Sequence, residues 1–157
     1  MSTHPLLFMV DDNVSDIDLV RMALDERGCA ARIDTARNGD EALVYLRALD
    51  AEATSSLVPD LILLDLNMPR IGGIEILTFL SKHARLSSIP VVILTTSDSP
   101  RDRSTCMQLG ATAYIVKARR FGELVASMSP VVDLLHRSKG GMPPTPPHGS
   151  RIAVPSR

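Results

Sequence analysis

Four apolar runs in this 157-residue chain each end in polar groups able to do chemistry. Asp11 and Asp12 follow Leu6-Leu7-Phe8-Met9-Val10, and Asp65 follows Leu61-Ile62-Leu63-Leu64. Thr95, Thr96 and Ser97 follow Val91-Val92-Ile93-Leu94, and Lys117 follows Ala113 to Val116. If these runs are neighbouring strands of one sheet, the polar groups share one edge. Three carboxylates gathered there repel strongly, each pair by about 4 kcal/mol at roughly 4 Å and an effective dielectric of roughly 20. Lys117 offsets one charge, and a hard divalent cation bound through oxygens offsets two more. With no His or Cys in the set, Mg²⁺ suits it better than Zn²⁺. A carboxylate beside such an ion and an ammonium group is arranged for in-line phosphoryl transfer, where catalysis is mostly positioning and charge neutralisation. Asp65, central and single, is the nucleophile candidate. Asp12 and Asp65 would bind the metal directly, Asp11 directly or through water, and the backbone carbonyl after the Asp65 turn would complete the protein ligands. Lys117 and the Thr95 hydroxyl would hold the incoming phosphoryl oxygens. Singly, each residue has a plain structural explanation as a helix cap, a turn former or a solvated charge. Their convergence at one edge is what argues for a site.

That convergence depends on the elements between them. The apolar runs are short, continuous and stopped by polar residues, which is the pattern of strands buried on both faces. A helix is expected after Ser15 as N-cap, with Ile17, Val20 and Leu24 inward and Gly28 at its end. Ala31 to Ala36 reads as a shorter strand, and Asn38-Gly39 opens a second helix carrying Ala42, Leu43, Leu46 and Leu49. Ala51 to Ser56 reads as a polar loop. Asn67-Met68-Pro69-Arg70-Ile71-Gly72-Gly73 is turn chemistry before a third helix, Ile74 to Lys82. A fourth helix, about Arg101 to Leu109, has few apolar positions and should be loosely anchored. A last helix spans Phe121 to His136, and Pro130 inside it should kink or split it. Five strands alternating with helices specify an α/β fold, a parallel sheet covered on both faces: three layers, doubly wound. In such a sheet, ligands bind outside the carboxyl ends of the strands.

Composition narrows the function. The formal charge of −1 and the pI near 6.4 disfavour binding to nucleic acid through phosphate contacts, which needs a concentrated basic face. No apolar run approaches the roughly 20 residues that span a bilayer, and no secretory signal pattern opens the chain, so a cytoplasmic protein is expected. Cys29 and Cys106 match no metal or redox spacing. His4, His83, His136 and His148 lack ligand spacing and are expected to be structural or solvated. From Lys139 the chain turns to Gly, Pro, Ser and basic residues. The expected division is a folded domain over 1–138 and a tail over 139–157 that is disordered or orders against a partner subunit. No room for a DNA-binding output domain is expected.

Taken together, Asp11-Asp12, Asp65-Leu-Asn-Met-Pro69 with Gly73, Thr95, and Tyr114-Ile-Val-Lys117 resemble the receiver domain of two-component response regulators. The resemblance covers roughly residues 5 to 137. It implies a flavodoxin-like sheet of strand order 2-1-3-4-5, an order for which a receiver protein is one of the standard examples. It also implies that Asp65 accepts a phosphoryl group from a phosphohistidine on a sensor histidine kinase and that the main-chain carbonyl of Asn67 joins Asp11, Asp12 and Asp65 at Mg²⁺. By the same resemblance Thr95 with Tyr114 reports the phosphorylated state, Thr96 lies with them beside the phosphoryl group, and Asn67 and Ser97 flank the water that attacks it. Asp12-Asn-Val-Ser-Asp-Ile-Asp and Leu94-Thr-Thr-Ser97 are similar to the stand-alone receivers that serve bacterial phytochrome-type kinases. Members of the receiver family often form homodimers through the fourth helix, fifth strand and fifth helix, and the resemblance implies that surface here. One departure stands out: the family usually has Pro after the lysine, often with a cis peptide, and here the residue is Ala118. A cis bond before a non-proline costs about 3 kcal/mol, so the turn after Lys117 is expected to differ or to be strained.

The leading expectation is a phosphoacceptor signalling protein, not an enzyme acting on an external substrate. Two alternatives use the same residues. A Mg²⁺-dependent phosphohydrolase with an Asp nucleophile typically needs a second acid two residues on, where Asn67 stands. A flavodoxin-like cofactor binder would carry a Ser, Thr and Gly-rich loop after the first strand, where Asp11-Asp12 would repel phosphate.

Overall fold

The computed structural model describes residues 4–51 and 58–138. Five strands and seven helices follow in the order β1 Leu6–Val10, α1 Val14–Glu26, β2 Arg32–Ala36, α2 Gly39–Ala51, β3 Leu61–Leu64, α3 Gly73–Ser81, α4 Ala84–Ser87, β4 Val91–Thr95, α5 Pro100–Gln108, β5 Ala113–Val116, α6 Phe121–Ser127 and α7 Ser129–Ser138. All strand pairs are parallel and the order across the sheet is β2-β1-β3-β4-β5. The expected three-layer α/β architecture and strand order are those of the molecule. Most of the loop expected at Ala51 to Ser56 and the tail over 139–157 lie outside the described residues.

Alternation along the strands sorts the core into two halves. Phe8, Val10, Ile62, Leu64, Val91 and Ile93 face a cluster with Ala42, Leu46, Ile76, Leu77, Leu80, Leu86 and Cys106 from α2 to α5. Leu7, Met9, Leu61, Leu63, Val92 and Leu94 face Ile17, Val20, Ala23, Leu24, Leu124, Met128, Val132 and Leu135 from α1, α6 and α7. With both faces covered, a strand has no polar positions to spare, which is why β1 and β3 are apolar throughout and β4 is apolar up to its last residue, Thr95. The edge strand β2 is half-covered instead: Tyr45 stacks on Phe8 at 3.8 Å between ring centroids and donates its hydroxyl to Asp34 Oδ2 (2.9 Å).

Local details correct the sequence reading at several points. The N-cap of α1 is Asn13, whose side chain accepts the Asp16 N–H, and not Ser15. The four-residue helix α4 was not expected, because one turn is too short to show a period. The helix α5 has a single buried residue, Cys106, in keeping with the loose anchoring expected of it. The last helix is split at Met128 into α6 and α7. Pro130 sits in the first turn of α7, where its missing N–H costs little. Arg27 at the end of α1 covers the break, its guanidinium donating to the Val125 carbonyl (2.9 Å) and to Ser129 Oγ (3.0 Å). No peptide bond among the described residues is cis, so the Lys117–Ala118 link is trans.

Candidate functional site

Three backbone bonds carry the sheet one residue past its strands and fix the site. Asp11 N–H donates to the Ala36 carbonyl (3.0 Å), Asp65 N–H to the Val10 carbonyl (3.0 Å), and Lys117 N–H to the Thr95 carbonyl (2.7 Å). Each chemically interesting residue is thus held by the main chain of a neighbouring strand. The turn after Asp65 folds back tightly: Gly73 N–H donates to the Leu66 carbonyl (3.0 Å), and a Cβ at Gly73 would stand 2.2 Å from the Asp65 carbonyl oxygen. No side chain fits at Gly73. In the same turn Arg70 takes the left-handed conformation (φ 66°) and pairs with Asp40.

At this edge the carboxylates of Asp11, Asp12 and Asp65 each offer an oxygen within 4.8 Å of the others. Asp12 is exposed, whereas Asp11 is 1% and Asp65 4% accessible. Lys117 reaches in from the end of β5, its Nζ 2.7 Å from Asp16 Oδ2, 3.0 Å from Asp11 Oδ2 and 3.5 Å from Asp65 Oδ2. Asp11 Oδ1 accepts the Asn13 N–H (2.9 Å). Its Oδ2 meets Lys117 as an ion pair outside hydrogen-bonding geometry, leaving a buried oxygen with no hydrogen-bond partner among the described residues. A donor set made only of oxygens, with one buried lone pair unspent, fits a hard divalent cation.

Burial dominates the titration of the cluster. It pushes Asp65 up to about 6, with Lys117 opposing and the charges of Asp11 and Asp12 adding to the rise. Asp11 is raised for the same first reason, against the Asn13 N–H and Lys117. Burial alone would lower Lys117, but the carboxylates of Asp16, Asp11 and Asp65 outweigh it and hold the ammonium above its ordinary range. The site therefore carries a fixed cation beside carboxylates that resist ionising together.

A second set lies across the edge. Asn67 Nδ2 donates to Thr95 Oγ1 (3.3 Å) and Thr96 Oγ1 (3.4 Å), which ties the turn after β3 to the end of β4. Thr95 is fully buried and also accepts the Ser97 N–H (3.3 Å). Tyr114 on β5 is buried, and its hydroxyl, which a simple core aromatic would leave in solvent, donates to the Ser97 carbonyl (2.9 Å). The structure thus brings Asp11, Asp12, Asp65 and Lys117 into one cluster, places Asn67, Thr95 and Thr96 beside it, and leaves Tyr114 one shell away. Sequence reasoning missed Asp16, although an acid one helical turn after Asp12 was the available signal.

A family model described as the response regulator receiver domain matches residues 7–129. The chain belongs to the response regulator receiver family. The receiver is 33% identical over 119 residues to the response regulator Rcp1 of Synechocystis sp., covering 76% of this chain and 80% of that one. It is 34% identical over 119 residues to the probable methanogenesis regulatory protein FilR2 of Methanothrix harundinacea, covering 76% of each. Among solved structures it resembles the phosphorylated cyanobacterial phytochrome response regulator RcpA, with a TM-score of 0.75, 33% identity, and 90% of this chain and 99% of that chain covered. It also resembles the Mn²⁺-bound form of Rcp1, with a TM-score of 0.73, 27% identity and the same coverage. As a receiver it is a phosphoacceptor signalling module of two-component systems; neither the phosphohydrolase nor the cofactor-binding reading gains support from these relatives.

Proposed function

We propose that Asp65 is the phosphoacceptor. The observation that carries this reading is a buried carboxylate at the end of the central strand β3, within 4.8 Å of the Asp11 and Asp12 oxygens and 3.5 Å from Lys117 Nζ. Asp65 Oδ attacks phosphorus of a phosphohistidine on a sensor kinase; the O–P bond forms, the P–N bond breaks, and the imidazole leaves with that electron pair. Lys117 neutralises charge on the phosphoryl oxygens, and Thr95 and Thr96 offer them hydroxyls. Asp11, Asp12, Asp65 and the Asn67 carbonyl hold Mg²⁺, which when bound supplies further charge neutralisation at the transferring group. Transfer then biases a bistable element: Thr95 turns toward the phosphoryl group, Tyr114 follows, and α5 shifts. The single readable consequence is an altered interaction surface. Hydrolysis of the adduct by a water beside Asn67 and Ser97 returns the resting state.

The likeness to the cyanobacterial phytochrome response regulator RcpA supports a bacterial phytochrome-type kinase as donor, and the proposed location is the cytoplasm. The proposed assembly is a homodimer through α5, β5 and the α6–α7 pair, the surface that the receiver-family resemblance implies. Residues 1–138 make the receiver, and 139–157 a Pro and Gly-rich basic tail. A small phosphodonor such as acetyl phosphate with Mg²⁺ should add one phosphate by intact mass, and chelation should abolish the addition. An adduct retained in Asp65→Asn overturns the assignment.

A further inference from the structure

Ser97 bonds through every polar atom it has. Its N–H donates to Thr95 Oγ1 (3.3 Å) and its carbonyl accepts the Tyr114 hydroxyl (2.9 Å). Its hydroxyl accepts the Ser99 N–H (3.3 Å) and donates to Asp102 Oδ2 at 2.6 Å. Asp102 lies in the first turn of α5, where a carboxylate is favoured by the helix dipole, and its own N–H donates to Ser99 Oγ (3.3 Å). The next residue, Arg103, sets its guanidinium carbon 4.6 Å from the centroid of the Tyr114 ring. The two switch residues, Thr95 and Tyr114, therefore meet at one serine, and that serine is fastened to α5 by a short charge-assisted bond. A hydroxyl-to-carboxylate bond of this kind is among the strong ones. It matters more here because α5 buries only Cys106 and has little apolar packing to fix its start.

Thr95 Oγ1 accepts both the Ser97 N–H and the Asn67 amide (3.3 Å each), so a turn toward a phosphoryl group has to give up the Ser97 bond as well as the Asn67 one. Ser97 moves only as far as Asp102 lets it. We propose that Asp102 is a positioning residue for the phosphorylation of this receiver: through Ser97 it latches Thr95 and Tyr114 in the resting arrangement, and its removal frees the switch. This rests on Asp65 as phosphoacceptor. Asp102 touches none of the reacting atoms, and its effect is a population shift between two arrangements of the β4–α5 loop.

The test compares the full chain with Asp102→Ala, Ser97→Ala, the double variant and Asp102→Asn, which keeps an acceptor for Ser97 without the charge. With acetyl phosphate and Mg²⁺, each alanine variant should form the adduct faster by up to about tenfold, the scale of one charge-assisted hydrogen bond. The double variant should be no faster than either single, and Asp102→Asn should fall between them and the parent. Rates equal to the parent, or two effects that multiply, overturn the latch, as they would report a helix cap and nothing more. A second arm needs no phosphate: amide exchange at Ser97 in the unphosphorylated chain should quicken by about tenfold in Asp102→Ala. Unchanged exchange overturns the latch whatever Asp65 does, whereas a parent chain that takes up no phosphate overturns Asp65 as acceptor and leaves the exchange arm to decide on Asp102.

Discussion

At the residue scale, the cluster is built from charges that oppose one another, and its response to pH follows from that. Asp65 is pushed from 3.8 to about 6 on folding, so between those values the folded chain holds a proton that the unfolded chain has lost. Stability is then greatest below about pH 4 for this group and is lost as pH rises through about 6. A difference of that size corresponds to at most about 3 kcal/mol. In the presence of a chelator, Asp65→Asn should unfold at higher urea than the parent at pH 7, by up to about 3 kcal/mol, and the gap should close near pH 4. A gap that persists or grows in acid would contradict the reading. Asp11, raised by burial as well, keeps part of the slope in the variant. Lys117 works with the opposite charge: its stabilisation is complete below its ordinary value and fails only when strong alkali deprotonates it. Asp11, Asp12, Asp65 and Lys117 were legible in the sequence because each stands within two residues of the end of an apolar run, and register then does the rest. Asp16 was not, because its partner Lys117 lies 101 residues away and its own position inside a helix's first turn looks like ordinary dipole complementation.

At the scale of elements, the junction of β3 and α3 decides whether the site can exist. Glu75 accepts the Gly72 N–H (3.0 Å) to start α3, and Gly73 lets that helix approach the Asp65 carbonyl more closely than any side chain allows. Gly73→Ala should cost about 2 kcal/mol or more in chemical denaturation, as overpacking against backbone does, and should slow phosphorylation because Asp65 and Asn67 move with the turn. A variant with parental stability and rate would show that the close approach carries no constraint. Strand positions and the larger helices were readable from periodicity, and the break at Pro130 from the chemistry of proline. The helix α4 and the Asn13 cap were not, since a single turn has no period and Asn, Asp and Ser all cap. The weakness of α5 was visible as a shortage of apolar residues. What fastens it, Ser97 to Asp102, depends on hydroxyl and carboxylate directions that composition does not contain.

At the scale of the molecule, the sheet divides the core of the described residues into two halves, α2 to α5 on one side and α1, α6 and α7 on the other. The proposed switch lies at one edge of the first half, in the least buried of its longer helices. The second half is drawn from both extremes of the described chain, and Arg27 joins them by reaching from α1 to the carbonyls and hydroxyl at the α6–α7 break. In hydrogen-exchange terms, that makes α1, α6 and α7 one cooperative unit, while α5 opens separately at lower free energy. Amides of α7 should therefore exchange in step with those of α1 and more slowly than those of α5, and Arg27→Ala should uncouple α7 from α1 while leaving α5 as it was. Within the described residues, the first helix and the last pair are thus sewn into one back plate, so that signalling can soften the front without loosening the whole.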